Sequence, residues 1–144
     1  SEYNSRKNET EIASSLLKVS SLRHANINQI NNIKDKIIRK RAKHIISENQ
    51  RVLKGVKDLE ENNAINFGKL MYESHNSMAN DYEISSIELD SLVESAKVAG
   101  ATGARLTGAG FGGCVVVLVP KSKIEIISKS IIEKCPRSFL VTKL

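Results

Sequence analysis

The sequence predicts an α+β domain, a set of helices packed on one face of a small antiparallel sheet. Three observations predict it. Apolar residues recur at helical spacing as far as Gly100. Beyond it the period changes, and Cys114 to Val119 is an apolar, β-branched run of strand length. Between the two regimes lies the glycine-rich stretch Gly108 to Gly113, which turns the chain. The 144 residues are enough for one core. With no internal repeat and no low-complexity linker, residues 1–144 read as one domain.

The elements follow in order. Ile12, Ala13, Leu16, Leu17 and Val19 predict a helix over about residues 7–18, and Ile27 to Ile33 a short second segment. Asp35 is placed to cap a longer helix. Its stripe, Ile37, Ile38, Ala42, Ile45, Ile46, Val52, Leu53, Val56 and Leu59, predicts one buried face. Asn62 and Asn63 end that helix, and Asn63 caps the next, which carries Ile65, Phe67, Leu70, Met71, Ser74 and Met78 until Asn80-Asp81 breaks it. Ser85 and Glu88 form an S-x-x-E capping box for a helix that stops at Gly100. Ala104 to Thr107 predicts a short strand and Cys114 to Val119 a buried one. Ser122 and Glu125 form a second capping box, for a helix buried through Ile124, Ile127 and Ile131 and stopped by Pro136. Ser138 to Thr142 predicts a final strand.

The composition bounds the function. Apolar residues make up 40% and charged residues 26%, as in ordinary globular proteins. No apolar run reaches the roughly 18 residues of a membrane span. The opening residues are polar, with no secretory signal and no initiating Met, so Ser1 is expected to be an internal or processed start. A net charge of +6 suits anionic partners. With 4% aromatics, no Trp and no nucleic-acid motif, a nucleic-acid module is the weaker reading. Cys114 and Cys135 make no metal or redox pair and read as free thiols of a reducing, cytoplasmic compartment. His24, His44 and His75 do not cluster, so no metal is expected. The run Lys34 to His44 reads as the solvated face of an amphipathic helix.

Chemistry concentrates in Gly108, Ala109, Gly110, Phe111, Gly112 and Gly113. A plain turn needs one or two glycines. Four suit close approach of a ligand or of another backbone, and successive exposed N–H groups can cradle an anion. Gly108, Gly110 and Gly113 satisfy G-x-G-x-x-G, but a strand follows where a dinucleotide site needs a helix. The run also fits a protein-kinase glycine loop, yet V-A-I-K, H-R-D and D-F-G are missing. No P-loop motif occurs. Ser74-His75 is no nucleophile pair, because neighbours on a helix point about 100° apart. His75 therefore reads as structural, and Asp81 as a cap or turn residue.

The segment Gly103-Ala104-Arg105-Leu106-Thr107-Gly108-Ala109-Gly110-Phe111-Gly112-Gly113-Cys114 resembles the third signature of the GHMP small-molecule kinases. Phe111 and Arg105 are most similar to the galactokinase branch. Leu70 to Met78 with Asp81 to Ser85 is similar to the helix-and-loop of that branch, and Ser1 to Arg6 to the S-x-Y-N-x-R start of its C-terminal half. The three matches fall in family order and cover nearly the whole chain.

The resemblance implies a GHMP-kinase C-terminal domain, with a ferredoxin-like antiparallel sheet and extra helices. It implies transfer of the γ-phosphoryl group of MgATP to the C1 hydroxyl of galactose. The phosphate loop, the catalytic Asp and its neighbouring Arg would lie in an N-terminal domain whose motifs do not occur here. Catalytic residues are therefore expected to be none in this chain, and the chain alone is expected to be inactive, with no bound cofactor. Tyr3 matches a tyrosine whose hydroxyl contacts the sugar. Gly108 to Gly113 would pack against the N-domain phosphate loop. The alternatives are another GHMP kinase, for N-acetylgalactosamine, mevalonate or homoserine, and a non-catalytic small-molecule-binding domain.

Overall fold

The first helix begins where the chain does. In a computed structural model, which describes residues 1–143, α1 runs Glu2–Leu16, with the Ser1 hydroxyl accepting from the Asn4 amide. The helix therefore starts about five residues before its apolar spacing predicts. Two 3-10 turns, Leu22–His24 and Ile27–Asn32, lead to α2, Lys36–Glu60. Asp35 caps α2 as expected, accepting from the Ile37 and Ile38 amides at 2.8 and 2.9 Å. α3 is Ala64–Ser77, capped by Asn63. It does not break at Asn80-Asp81. It widens into a π-helical turn, Met78–Tyr82, and ends on left-handed Glu83. α4 is Ile87–Val98, and its cap is Ser86 rather than Ser85, whose hydroxyl goes to Asp90. α5, Ile124–Lys134, follows a 3-10 turn and has no side-chain cap, so the second capping box does not form.

β1, Gly103–Thr107, pairs antiparallel with β2, Cys114–Leu118, with Arg105 opposite Val116. The α+β class holds, with a sheet of two strands among the described residues. Adjacent residues of a strand face opposite sides. Ala104 turns into a core with Val93 and Ala96 of α4 and Ile127 and Ile131 of α5. Gly103 and Arg105 turn toward α3, where a side chain on Gly103 would meet Gly68 and Arg105 reaches Ser74. Helices thus flank β1 on both sides rather than one. β2 is less buried than predicted, since Cys114 and Val116 are exposed.

Ser138 to Thr142 forms no strand. The free edge of β1 is taken by α3, whose His75 Nδ1 accepts from the Leu106 amide at 3.1 Å. The tail instead folds back on α5. Ser138 bonds the Cys135 carbonyl, Lys143 pairs with Glu125, and Phe139 and Val141 stay exposed.

A second core joins Ala13 of α1 and Leu17 just after it, Leu22 of the first 3-10 turn and Ile33 just after the second, and Ile38, Ala42 and Ile46 of α2. Val52, Leu53, Val56 and Leu59 lie outside it and are exposed, so the predicted single buried face covers only the first half of α2. The cause is length. At 1.5 Å per residue α2 extends about 37 Å, and α1 covers only its beginning.

Candidate functional site

The glycine loop sits at the tip of the β1–β2 hairpin. Gly108, Gly110, Gly112 and Gly113 all have positive φ, and so does Phe111, at 59°. A bulky residue in that region is strained, by about 1–2 kcal/mol, and holds only where its surroundings fix it. The Phe111 amide donates to the Ile84 carbonyl at 2.6 Å. At Gly110 a Cβ would lie 2.5 Å from that same oxygen. At Gly108, Gly112 and Gly113 a Cβ would meet nothing within 4 Å. The loop is therefore clamped at Gly110-Phe111 and open on either side, a surface to which another backbone can come close.

The clamp rests on the end of α3. Helix C-termini leave carbonyls without intrahelical partners. Here the Asp81 carbonyl accepts from Arg41, and the Tyr82 and Glu83 carbonyls accept from Arg6, at 2.8, 2.6 and 3.0 Å. The Arg6 guanidinium lies 5.7 Å from the centre of the Phe111 ring. Glu9 accepts from both arginines, and Arg41 also pairs with Glu83 at 2.7 Å. Burial works against the Arg41 charge, but Glu9 and Glu83 outweigh it and raise its pKa. The hydrogen bond from Arg41 holds the Glu83 carboxyl below its usual range. Arg41 and His44 are 3% and 5% exposed, so the basic run is not simply a solvated face. The carboxylates gathered around Arg41 make its burial possible.

Of two buried histidines, one supports the same turn and the other ties α3 to its neighbours. His44 stacks on Tyr82 and its Nδ1 bonds the Ser77 hydroxyl at 2.9 Å, which in turn donates to Asp81. Burial pushes the His44 pKa down to about 4. His75 joins α3 to α4 and β1, with Nε2 on Asp90 at 3.1 Å and Nδ1 accepting from Leu106. Burial lowers its pKa, and Asp90 opposes the shift. Ser74 donates to Glu48 rather than to His75. Both ring nitrogens of His75 are occupied by structural partners, so no nucleophile pair exists there.

Tyr3 projects from the first turn of α1 and is 61% exposed. Arg6, one turn further along, ties that helix to the loop tip. Among the described residues no group of His, Cys, Asp or Glu is arranged to hold a metal, and no helix is long and apolar enough to cross a membrane. Sequence reasoning singled out Tyr3, which the fold leaves exposed, and the loop, which it fixes at Gly110-Phe111. It missed Arg6 and Arg41 as clamps and the contact of Gly68 with Gly103. A glycine inside a helix and another opening a strand were the available signal.

Three comparisons bear on this arrangement. The family profile described as GHMP kinases C terminal matches residues 56–137. A galactokinase of Glaesserella parasuis is 46% identical over 92% of this chain and 36% of its own length. A galactokinase of Staphylococcus saprophyticus is 43% identical over 93% of this chain and 38% of its own. The crystal structure of Lactococcus lactis galactokinase complexed with galactose superposes with a TM-score of 0.88 at 36% identity, over 93% of this chain and 37% of that one. The chain thus spans little more than a third of the length of the relatives it matches.

Proposed function

Because the chain belongs to the GHMP kinases, through their C-terminal domain, we propose that it is the C-terminal domain, residues 1–144, of a galactokinase. The complete enzyme transfers the γ-phosphoryl group of MgATP to the C1 hydroxyl of galactose in the cytoplasm. The groups that hold nucleotide and activate the hydroxyl lie in an N-terminal domain outside this chain.

The observation that carries the reading is the clamped loop. Phosphoryl transfer depends on positioning and on electrostatic stabilisation more than on covalent help. A loop fixed at Gly110-Phe111 and bare at Gly108, Gly112 and Gly113 suits that task. The bare glycines pack against a phosphate-binding backbone of the N-terminal domain, close the cleft against water and supply no acid or base. Tyr3, exposed on the helix tied to the loop, offers its hydroxyl to the sugar. The similarity to galactokinases over more than nine-tenths of this chain supports the substrate.

The test is an ADP-release assay on the full-length protein with galactose, N-acetylgalactosamine, homoserine and mevalonate. Galactose is expected to give the highest kcat/KM. Preference for another alcohol would keep the family and discard the sugar.

A further inference from the structure

We propose that Arg6 is a positioning residue for phosphoryl transfer, holding the glycine loop in its working conformation through the turn at residues 81–84. The proposal rests on the kinase reading above, and it assigns a role to a side chain that touches neither sugar nor nucleotide.

Arg6 reaches the loop by two routes. Its guanidinium carbon lies over the Phe111 ring, 5.7 Å from the centroid, a cation–π distance. Its edge donates through Nε to the Tyr82 carbonyl at 2.6 Å and through Nη2 to the Glu83 carbonyl at 3.0 Å. The next residue, Ile84, is fixed by its amide to the Met78 carbonyl at 3.1 Å, and its own carbonyl receives the Phe111 amide. One side chain thus holds both the ring and, through two backbone steps, the amide of the same left-handed residue. Without those holds Phe111 would relax toward negative φ, and the open glycines beside it would move with it.

The chemistry needs arginine. A planar guanidinium donates from its edge to two successive carbonyls while its spread charge lies over a ring, and the compact ammonium of lysine does not match that geometry. Glu9 sets the plane, accepting from Nη1 at 3.3 Å, and only 15% of the Arg6 side chain is exposed. Its position one helical turn from Tyr3 couples the sugar-facing helix to the loop.

The test compares full-length wild type, Arg6→Lys and, as a control on the exposed side of α1, Lys7→Met. Amide hydrogen exchange at residues 110–112 is expected to be about tenfold faster in Arg6→Lys, with exchange in α4 and α5 unchanged. In steady-state kinetics on galactose, kcat is expected to fall about 100-fold, as loosely held groups cost. KM for ATP should stay within about threefold, the pattern of an interaction made in the transition state. Lys7→Met should match wild type in both. Pairing Arg6→Lys with Phe111→Leu is expected to give less than the sum of the single losses. Unchanged exchange at residues 110–112 overturns the proposal whether or not the enzyme turns over galactose. So does a loss of kcat that disappears once Arg6→Lys is assayed at a temperature where it is fully folded. A wild-type protein that phosphorylates none of the alcohols refutes the kinase reading and the catalytic part of the proposal, while the exchange result still decides the hold of Arg6 on the loop.

Discussion

Gly68 and Gly110 both exclude a side chain, and they do so in opposite settings. Gly68 sits in α3, where a Cβ would overlap the Thr102 carbonyl, and a Cβ on Gly103 would lie 2.5 Å from the Gly68 Cα. Both are buried in the seam between α3 and β1. Gly110 is half-buried at a hairpin tip, has a φ of 82°, and would strike the Ile84 carbonyl. The seam glycines let two backbones touch and so fix the fold. The loop glycine lets a strained turn be clamped, and under the proposed function that turn is a working surface. If the loop works as proposed, identical residue types divide between stability and function, and the two should separate by experiment.

The largest effect is expected in the seam. Gly68→Ala should lower the unfolding free energy by about 3 kcal/mol, since the helix and strand must part to admit a methyl group. Urea denaturation measures it, and a loss below about 1 kcal/mol would mean that the seam can relax. Any loss of turnover in the full-length Gly68→Ala protein should follow its folded fraction.

Gly110→Ala should invert that pattern. Turnover on galactose is expected to fall about 100-fold in the full-length protein, while unfolding free energy falls by only about 2 kcal/mol from the left-handed strain and the Ile84 contact. Parallel loss of turnover and stability in the two variants would erase the distinction.

Acid should act on the loop's side first. The His44 pKa falls from 6.5 in the unfolded chain to about 4 in the fold. The unfolded state therefore binds more protons between those values. The contribution of His44 is fully present above pH 6.5 and is lost as pH falls toward 4. Between pH 7 and 5 this removes about 2 kcal/mol. His44→Gln should flatten that part of the stability curve. An equal slope in the variant would assign the acid sensitivity elsewhere.

The smallest effect belongs to Gly112→Ala. Among the described residues of this chain nothing stands within 4 Å of its Cβ position, so in the isolated chain strain alone acts on stability, at φ 128°. A loss of about 1 kcal/mol is expected.

These contrasts also mark how far the sequence was readable. Local signals carried in part: the Asp35 and Asn63 caps and the helix stop at Gly100 were legible from residue type and spacing, whereas neither S-x-x-E pattern forms its capping box. Gly108 to Gly113 stood out because its glycines cluster. Gly68 and Gly103 did not, because each stands alone and their contact spans 35 positions of chain. Arg41 read as solvated because its carboxylate partners, Glu9 and Glu83, lie 32 and 42 positions away. The stripe on the second half of α2 and the strand expected at Ser138 to Thr142 failed for a related reason. Apolar spacing states which face can be buried, but a neighbouring element must supply the cover, and α3 already occupies the edge of β1.

The central claim is that this domain shapes a galactokinase cleft without supplying its reacting groups. Its most direct test is phosphorus NMR of the products formed from MgATP and galactose by the full-length protein and, separately, by the 144-residue chain. The account predicts a sugar C1 phosphate from the former and none from the latter. A C1 phosphate made by the 144-residue chain alone, or none made by the full-length protein, would contradict it.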